Sequence, residues 1–122
     1  MPNRSKQRGT AFESLIVNHL KSVWDPRIER RTLNGALDKG DVAGFRVGDA
    51  DFVLECKNHK AMDIGGWVSE SEKERENANA VAGFVIHKRR GTADPSKQYV
   101  TTTVGDLLIA LDAARAQGRL GY

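Results

Sequence analysis

The chain has a single cysteine, Cys56, among its 122 residues. No intrachain disulfide can form, and a cytoplasmic setting is expected. No apolar run approaches the roughly 20 residues that a membrane-spanning helix needs. The opening residues are polar and basic and lack the apolar core of a secretion signal. The histidines, His19, His59 and His87, are scattered without zinc-ligand spacing. A Gly-rich phosphate loop, internal repeats and low-complexity tracts are all missing. Disulfide scaffolds, membrane proteins, zinc sites and ATP-driven enzymes are therefore not indicated.

Hydrophobic residues make up 39% of the chain and charged residues 29%, a globular balance. The length fits one domain over residues 1–122, with residues 1–7 a flexible basic arm. The net charge of +3 is small, but its placement is not even. Arg4, Lys6 and Arg8 crowd the start, Arg27, Arg30 and Arg31 follow the first helix, and Lys88, Arg89 and Arg90 end a later strand. With Lys60, these clusters suit contacts with backbone phosphate. Read singly, each serves nearly as well as a solubilising loop end.

Apolar spacing predicts a helix from near Thr10 to Val23, with Phe12, Leu15, Ile16, Leu20, Val23 and Trp24 on one stripe. Pro26 ends it. Short strands are expected over Ile28–Leu33, Asp41–Val47 and Phe52–Lys57, separated by turns at Asn34-Gly35 and Gly48–Asp51. A thinly apolar helix from Trp67 to about Ala80 follows, with Ser69 and Glu72 as a possible capping box. Trp67, Ser71, Ala78 and Val81 give it a narrow stripe, so it either lies on the surface or packs through small residues. Val81–His87 is a near-continuous apolar run, as in a central strand covered on both faces. A last strand over Gln98–Thr103 and a helix carrying Leu107, Leu108, Leu111 and Ala114 close the chain near Gly118. The fold class is α/β, a mixed sheet of about five strands flanked by helices.

Function is most legible in Phe52-Val53-Leu54-Glu55-Cys56-Lys57. Successive side chains on a strand point to opposite faces. Phe52, Leu54 and Cys56 can enter a core, which leaves Glu55 and Lys57 together on the other face. A hairpin with the Asp41 run brings Asp41 towards both. Two carboxylates suit Mg²⁺, which prefers oxygen ligands, and an adjacent lysine can act on water or offset charge at a phosphate. Taken alone, Glu55-Cys56-Lys57 favours a solvated ion pair; the preceding Asp41, the hairpin spacing and the apolar lead-in shift the balance. Asp38 is a weaker stand-in for Asp41, and Asp49 and Asp51 read as turn residues. Gly40 serves a tight turn or a close approach of substrate backbone. Glu13 either caps the helix from Thr10 or reaches the site. His59 is a candidate phosphate contact, although a solvent-facing histidine is the commoner case, and Glu70 sits near the start of the second helix.

An aspartate, a spacer and then Glu-x-Lys after an apolar strand resembles the core of the PD-(D/E)xK nucleases. Lys6-Gln7-Arg8-Gly9-Thr10-Ala11-Phe12-Glu13 resembles the first helix of archaeal-type and phage Holliday junction resolvases within that superfamily. The likeness is best over residues 4–57, and it departs at Gly40, where proline commonly precedes the aspartate. It implies a restriction-endonuclease-like fold and Mg²⁺-dependent cleavage of four-way DNA junctions by a homodimer, with Mn²⁺ able to substitute. Asp41, Glu55 and Glu13 would hold the metal, and Lys57 would position the attacking water. Arg4, Lys6, Arg8, Arg30, Arg31, Lys60, Lys88, Arg89 and Arg90 would contact DNA. The same likeness also covers nucleases acting on linear or flapped DNA, and a non-catalytic DNA-binding module on that fold.

Overall fold

The computed structural model describes residues 4–31 and 37–118. The chain begins with helix α1 (Arg4–Val23), followed by two short strands, β1 (Glu29–Arg30) and β2 (Val42–Ala43). Strands β3 (Arg46–Val47) and β4 (Ala50–Lys57) precede helix α2 (Ile64–Ala78). Strand β5 (Ala82–His87), β6 (Tyr99–Thr101) and helix α3 (Val104–Ala116) complete it. The main sheet is mixed, with strand order β3-β4-β5-β6, and β1 pairs with β2 separately. Thus four strands plus a two-stranded ladder stand where a sheet of about five was expected.

Alternation along β4 organises the layers. Phe52, Leu54 and Cys56 face α1 and α3, and β5 continues that face in register with Ala82, Phe84 and Ile86. From α1, Phe12, Ile16 and Val17 are buried against Leu54, Cys56 and Ile86. The opposite face of β5 receives α2. A Cβ on Gly83 would come within 2.5 Å of Ser71 Oγ, so only glycine permits this close packing. Helix α2 thus lies on the sheet, with Ser71 close against Gly83 but with the larger Trp67 and Glu74 buried as well.

Two differences from expectation concern helix starts. Residues 4–7, read as part of an arm, form the first turn of α1, so Thr10 lies inside the helix and its capping box with Glu13 does not exist. Helix α2 begins earlier than Trp67 because Asp63 caps it, accepting from Gly66 N–H, and Ser69 and Glu72 are interior. The expected strand Asp41–Val47 is broken at Gly44, whose φ is +85° and where a Cβ would press to 3.1 Å from the Arg27 carbonyl oxygen. The turn expected at Asn34-Gly35, and Thr32 and Leu33 of the first strand, lie outside the described residues.

Helix α3 is turned opposite to its sequence pattern. Ala110, Ala113 and Ala114 pack against the Phe45, Phe52 and Phe84 layer. Val104, Leu107, Leu108, Ile109 and Leu111 are exposed. The sheet already fills this layer with phenylalanine rings, so a close helix fits only through alanine. Val23 of α1 is likewise exposed rather than part of the core. Trp24 instead stacks on Phe45 at 5.6 Å and donates from Nε1 to the Arg46 carbonyl at 2.9 Å, fastening the end of α1 to β3.

Candidate active site

The end of β4 positions the acidic and basic groups. Glu55 is buried, and Lys57 Nζ lies 3.3 Å from Glu55 Oε1 and 2.6 Å from Glu70 Oε2. Asp41 docks on the same strand as a short extension of the ladder. Its N–H donates to the Leu54 carbonyl at 3.0 Å, and its Oδ2 accepts from Cys56 N–H at 2.7 Å. Gly40 makes this docking possible. Its φ is +92°, and a Cβ there would sit 2.8 Å from Val53 Cγ1. Proline, with φ fixed near −65°, cannot occupy this position, which accounts for the glycine before Asp41.

The carboxylates resist ionisation together. Burial first, then the Glu55 charge, pushes Asp41 up to about 8. Burial first, then Glu74, pushes Glu55 up to about 9. Burial also raises Glu74 to about 7, with the charges of Asp38, Glu70 and Asp41 adding to it. Burial pulls Lys57 down, but the Glu70 and Glu55 carboxylates outweigh it, so its ammonium is held above the ordinary range. Lys57 is thus a fixed cation suited to orienting and stabilising, rather than a base. Burial pushes the Cys56 thiol well up, which removes it as a nucleophile.

Glu13 projects from the middle of α1, where Oε2 accepts from Arg30 Nε at 2.7 Å. Its charge also raises Asp41. An open cleft of about 500 Å³ lies between the start of α1 and the end of β4. Lys6, Arg8, Glu13, Arg30, Lys57, His59 and Lys60 line it. The structure therefore gathers Lys6 and Arg8 of the first basic cluster and Arg30 of the second beside Glu13 and Lys57, whereas Asp41 and Glu55 do not line this cleft.

Other basic residues are placed differently. Arg90 donates to Asn58 Oδ1 at 3.0 Å and to the His59 carbonyl at 2.7 Å, and so holds the loop after β4. Lys88 donates to the carbonyls of Arg89 and Thr92, at 2.6 and 2.5 Å, and Arg89 stands over the Tyr99 ring. These three brace loops and do not line the cleft. Arg4 is exposed at the start of α1, and Arg31 donates its N–H to the Asp41 carbonyl at 2.8 Å.

Two acids gain weight from the structure. Asp38 groups with Glu55 and Glu74 so that one oxygen of each lies within 4.8 Å of the others. Glu74 is 1% exposed and was not a sequence candidate. Its signal lay in spacing: Trp67, Ser71 and Glu74 recur at helical intervals, which puts a glutamate on the stripe that packs. The buried donors are all carboxylate oxygens, and Glu55 Oε2 has no hydrogen-bond partner. That donor set fits a hard divalent cation. No protein-family model, curated protein or solved structure matches the chain. No helix among the described residues is long and apolar enough to cross a membrane.

Proposed function

We propose that this chain is a metal-dependent DNA endonuclease of the PD-(D/E)xK type, selective for branched DNA and active as a homodimer. The observation that carries the reading is the convergence of Asp41, Glu55 and Lys57 at one strand end, beside a cleft lined by Lys6, Arg8, Arg30 and Lys60. A solvated ion pair does not need Glu74 buried and Asp41 half-buried beside it. The restriction-endonuclease-like arrangement is part of this proposal. It is supported by α2 joining the parallel strands β4 and β5, with α1 on the opposite face.

Asp41 and Glu55 would hold Mg²⁺, with Glu13 completing the site after exchanging its Arg30 partner. Bound there, Mg²⁺ supplies polarisation of the scissile phosphate and lowers the pKa of a water. Lys57, kept cationic by Glu70 and Glu55, orients that water and offsets charge gathering on the phosphate. The cleft cations hold backbone phosphates, which reads shape rather than sequence. The exposed apolar face of α3 supports a dimer, because large exposed apolar patches mark association surfaces. Resolving a four-way junction takes two cuts, and a twofold assembly matches that symmetry.

The test compares a four-way junction with linear duplexes of the same arm sequences in Mg²⁺, with Glu55→Gln as control. Paired symmetric nicks on the junction alone, absent in the variant, are expected. Equal cutting of linear duplex would keep the chemistry and change the substrate. Junction binding without cutting in Mg²⁺ or Mn²⁺ would leave a binding module.

A further inference from the structure

We infer that Asp38, Glu55 and Glu74 form a binding site for a hard divalent cation, distinct from the Asp41 side of Glu55. The first observation is the geometry, with one oxygen from each residue inside a mutual 4.8 Å. The second is independent of that clustering. Glu74 is 1% exposed, and no donor group reaches either of its carboxylate oxygens, whose nearest polar neighbour is the Glu55 carboxyl. Glu55 is 6% exposed, with its Oε2 in the same condition. Lys57 does not fill the need, since it is engaged by Glu55 Oε1 and Glu70 Oε2. Burying a carboxylate without a donor costs several kcal/mol, so such groups are paired, protonated or metal-bound.

The surrounding chain holds the three acids in place. Gly40 N–H donates to Asp38 Oδ1 at 2.9 Å, and Asn77 Nδ2 donates to the Asp38 carbonyl at 2.8 Å. The loop is thereby tied to α2, one turn from Glu74. Asp38 is exposed, so coordination positions on its side remain open to water or a phosphate oxygen.

Opposite oxygens stand about 4.0–4.2 Å apart across Mg²⁺ and about 4.6–5.2 Å apart across Ca²⁺. Three oxygens within 4.8 Å of one another are therefore within reach of a single hard divalent ion of either size. The site needs no nuclease activity to exist.

The experiment is Mn²⁺ binding, followed by calorimetry and by electron paramagnetic resonance at pH 7.5. It uses the full chain and the Glu74→Gln, Asp38→Asn and Asp41→Asn variants. Asp38 is exposed, so its variant guards against a folding artefact in Glu74→Gln. Two bound Mn²⁺ are expected in the wild type. Glu74→Gln and Asp38→Asn should each weaken one of them by about tenfold or more and spare the other, and Ca²⁺ should compete. One Mn²⁺, dependent on Glu74 and Asp38 but indifferent to Asp41→Asn, would support this site while removing the catalytic reading. Unchanged stoichiometry and affinity in both Glu74→Gln and Asp38→Asn would overturn the site, leaving a proton shared between Glu55 and Glu74.

Discussion

The acid cluster predicts an unusual dependence of stability on pH. In the folded chain Asp41, Glu55 and Glu74 hold their protons to about 8, 9 and 7, against ordinary values of 3.8, 4.5 and 4.5. Raised folded values mean that the native state binds more protons than the unfolded chain from about pH 4 to about pH 9. Stability therefore falls as pH rises through that window. One retained proton gives a slope of about 1.4 kcal/mol per pH unit. Counting one proton alone, a conservative choice for coupled groups, the loss from pH 5.5 to 7.5 is about 3 kcal/mol. For a domain of this size that lowers Tm by about 10 °C. Melts in EDTA by circular dichroism should follow this course. Mn²⁺ at pH 7.5 should restore much of the loss, since metal displaces the protons that the cluster otherwise needs. Glu74→Gln should raise the EDTA Tm at pH 8, because an amide buries without charge and can donate to Glu55. A Tm in EDTA that stays level or rises between pH 5.5 and 8 would refute the argument, as would a loss of stability at pH 8 in Glu74→Gln.

Other outcomes follow from single contacts. Lys57→Ala should cut the rate of junction cleavage by about 10²–10³, as for loss of one transition-state donor, while gel-shift affinity for the junction is largely kept. Gly83→Ala should cost about 1–3 kcal/mol in urea unfolding, because the new methyl meets Ser71 Oγ at 2.5 Å, and adding Ser71→Ala should recover part of it. Gly40→Pro, which restores the residue commonly found in the resembling superfamily, should leave little folded protein on circular dichroism, because the position needs φ +92°. Leu108→Glu, at an exposed site on α3, should shift sedimentation from dimer to monomer while changing unfolding free energy by no more than about 0.5 kcal/mol.

The readable parts of the sequence were those governed by local periodicity. Period-two alternation in Phe52–Lys57 placed three apolar residues inward and Glu55 beside Lys57, and the structure has that arrangement. The apolar run of β5 and the helical stripe through Phe12 and Ile16 were legible for the same reason. Asp41 docks on β4 as the hairpin reading required, although Gly44 splits the strand that was to carry it.

Periodicity says which residues share a face, but not what covers that face. On α3 the leucines formed the stronger stripe, yet the phenylalanine layer left room only for alanine, and the helix turned over. On α2 the stripe through Trp67 and Ser71 included Glu74, but its meaning depended on Glu55, 19 residues earlier in the numbering, lying across the interface. Asp38 joined them only because Gly40 bends the chain over Val53. The sequence by itself determined the central strand, its paired acid and amine, and the order of helices and strands, since neighbours along the chain set backbone geometry. Tertiary structure alone decided which distant carboxylates share a buried volume, because their mutual repulsion exists only once helix and sheet exclude water from between them.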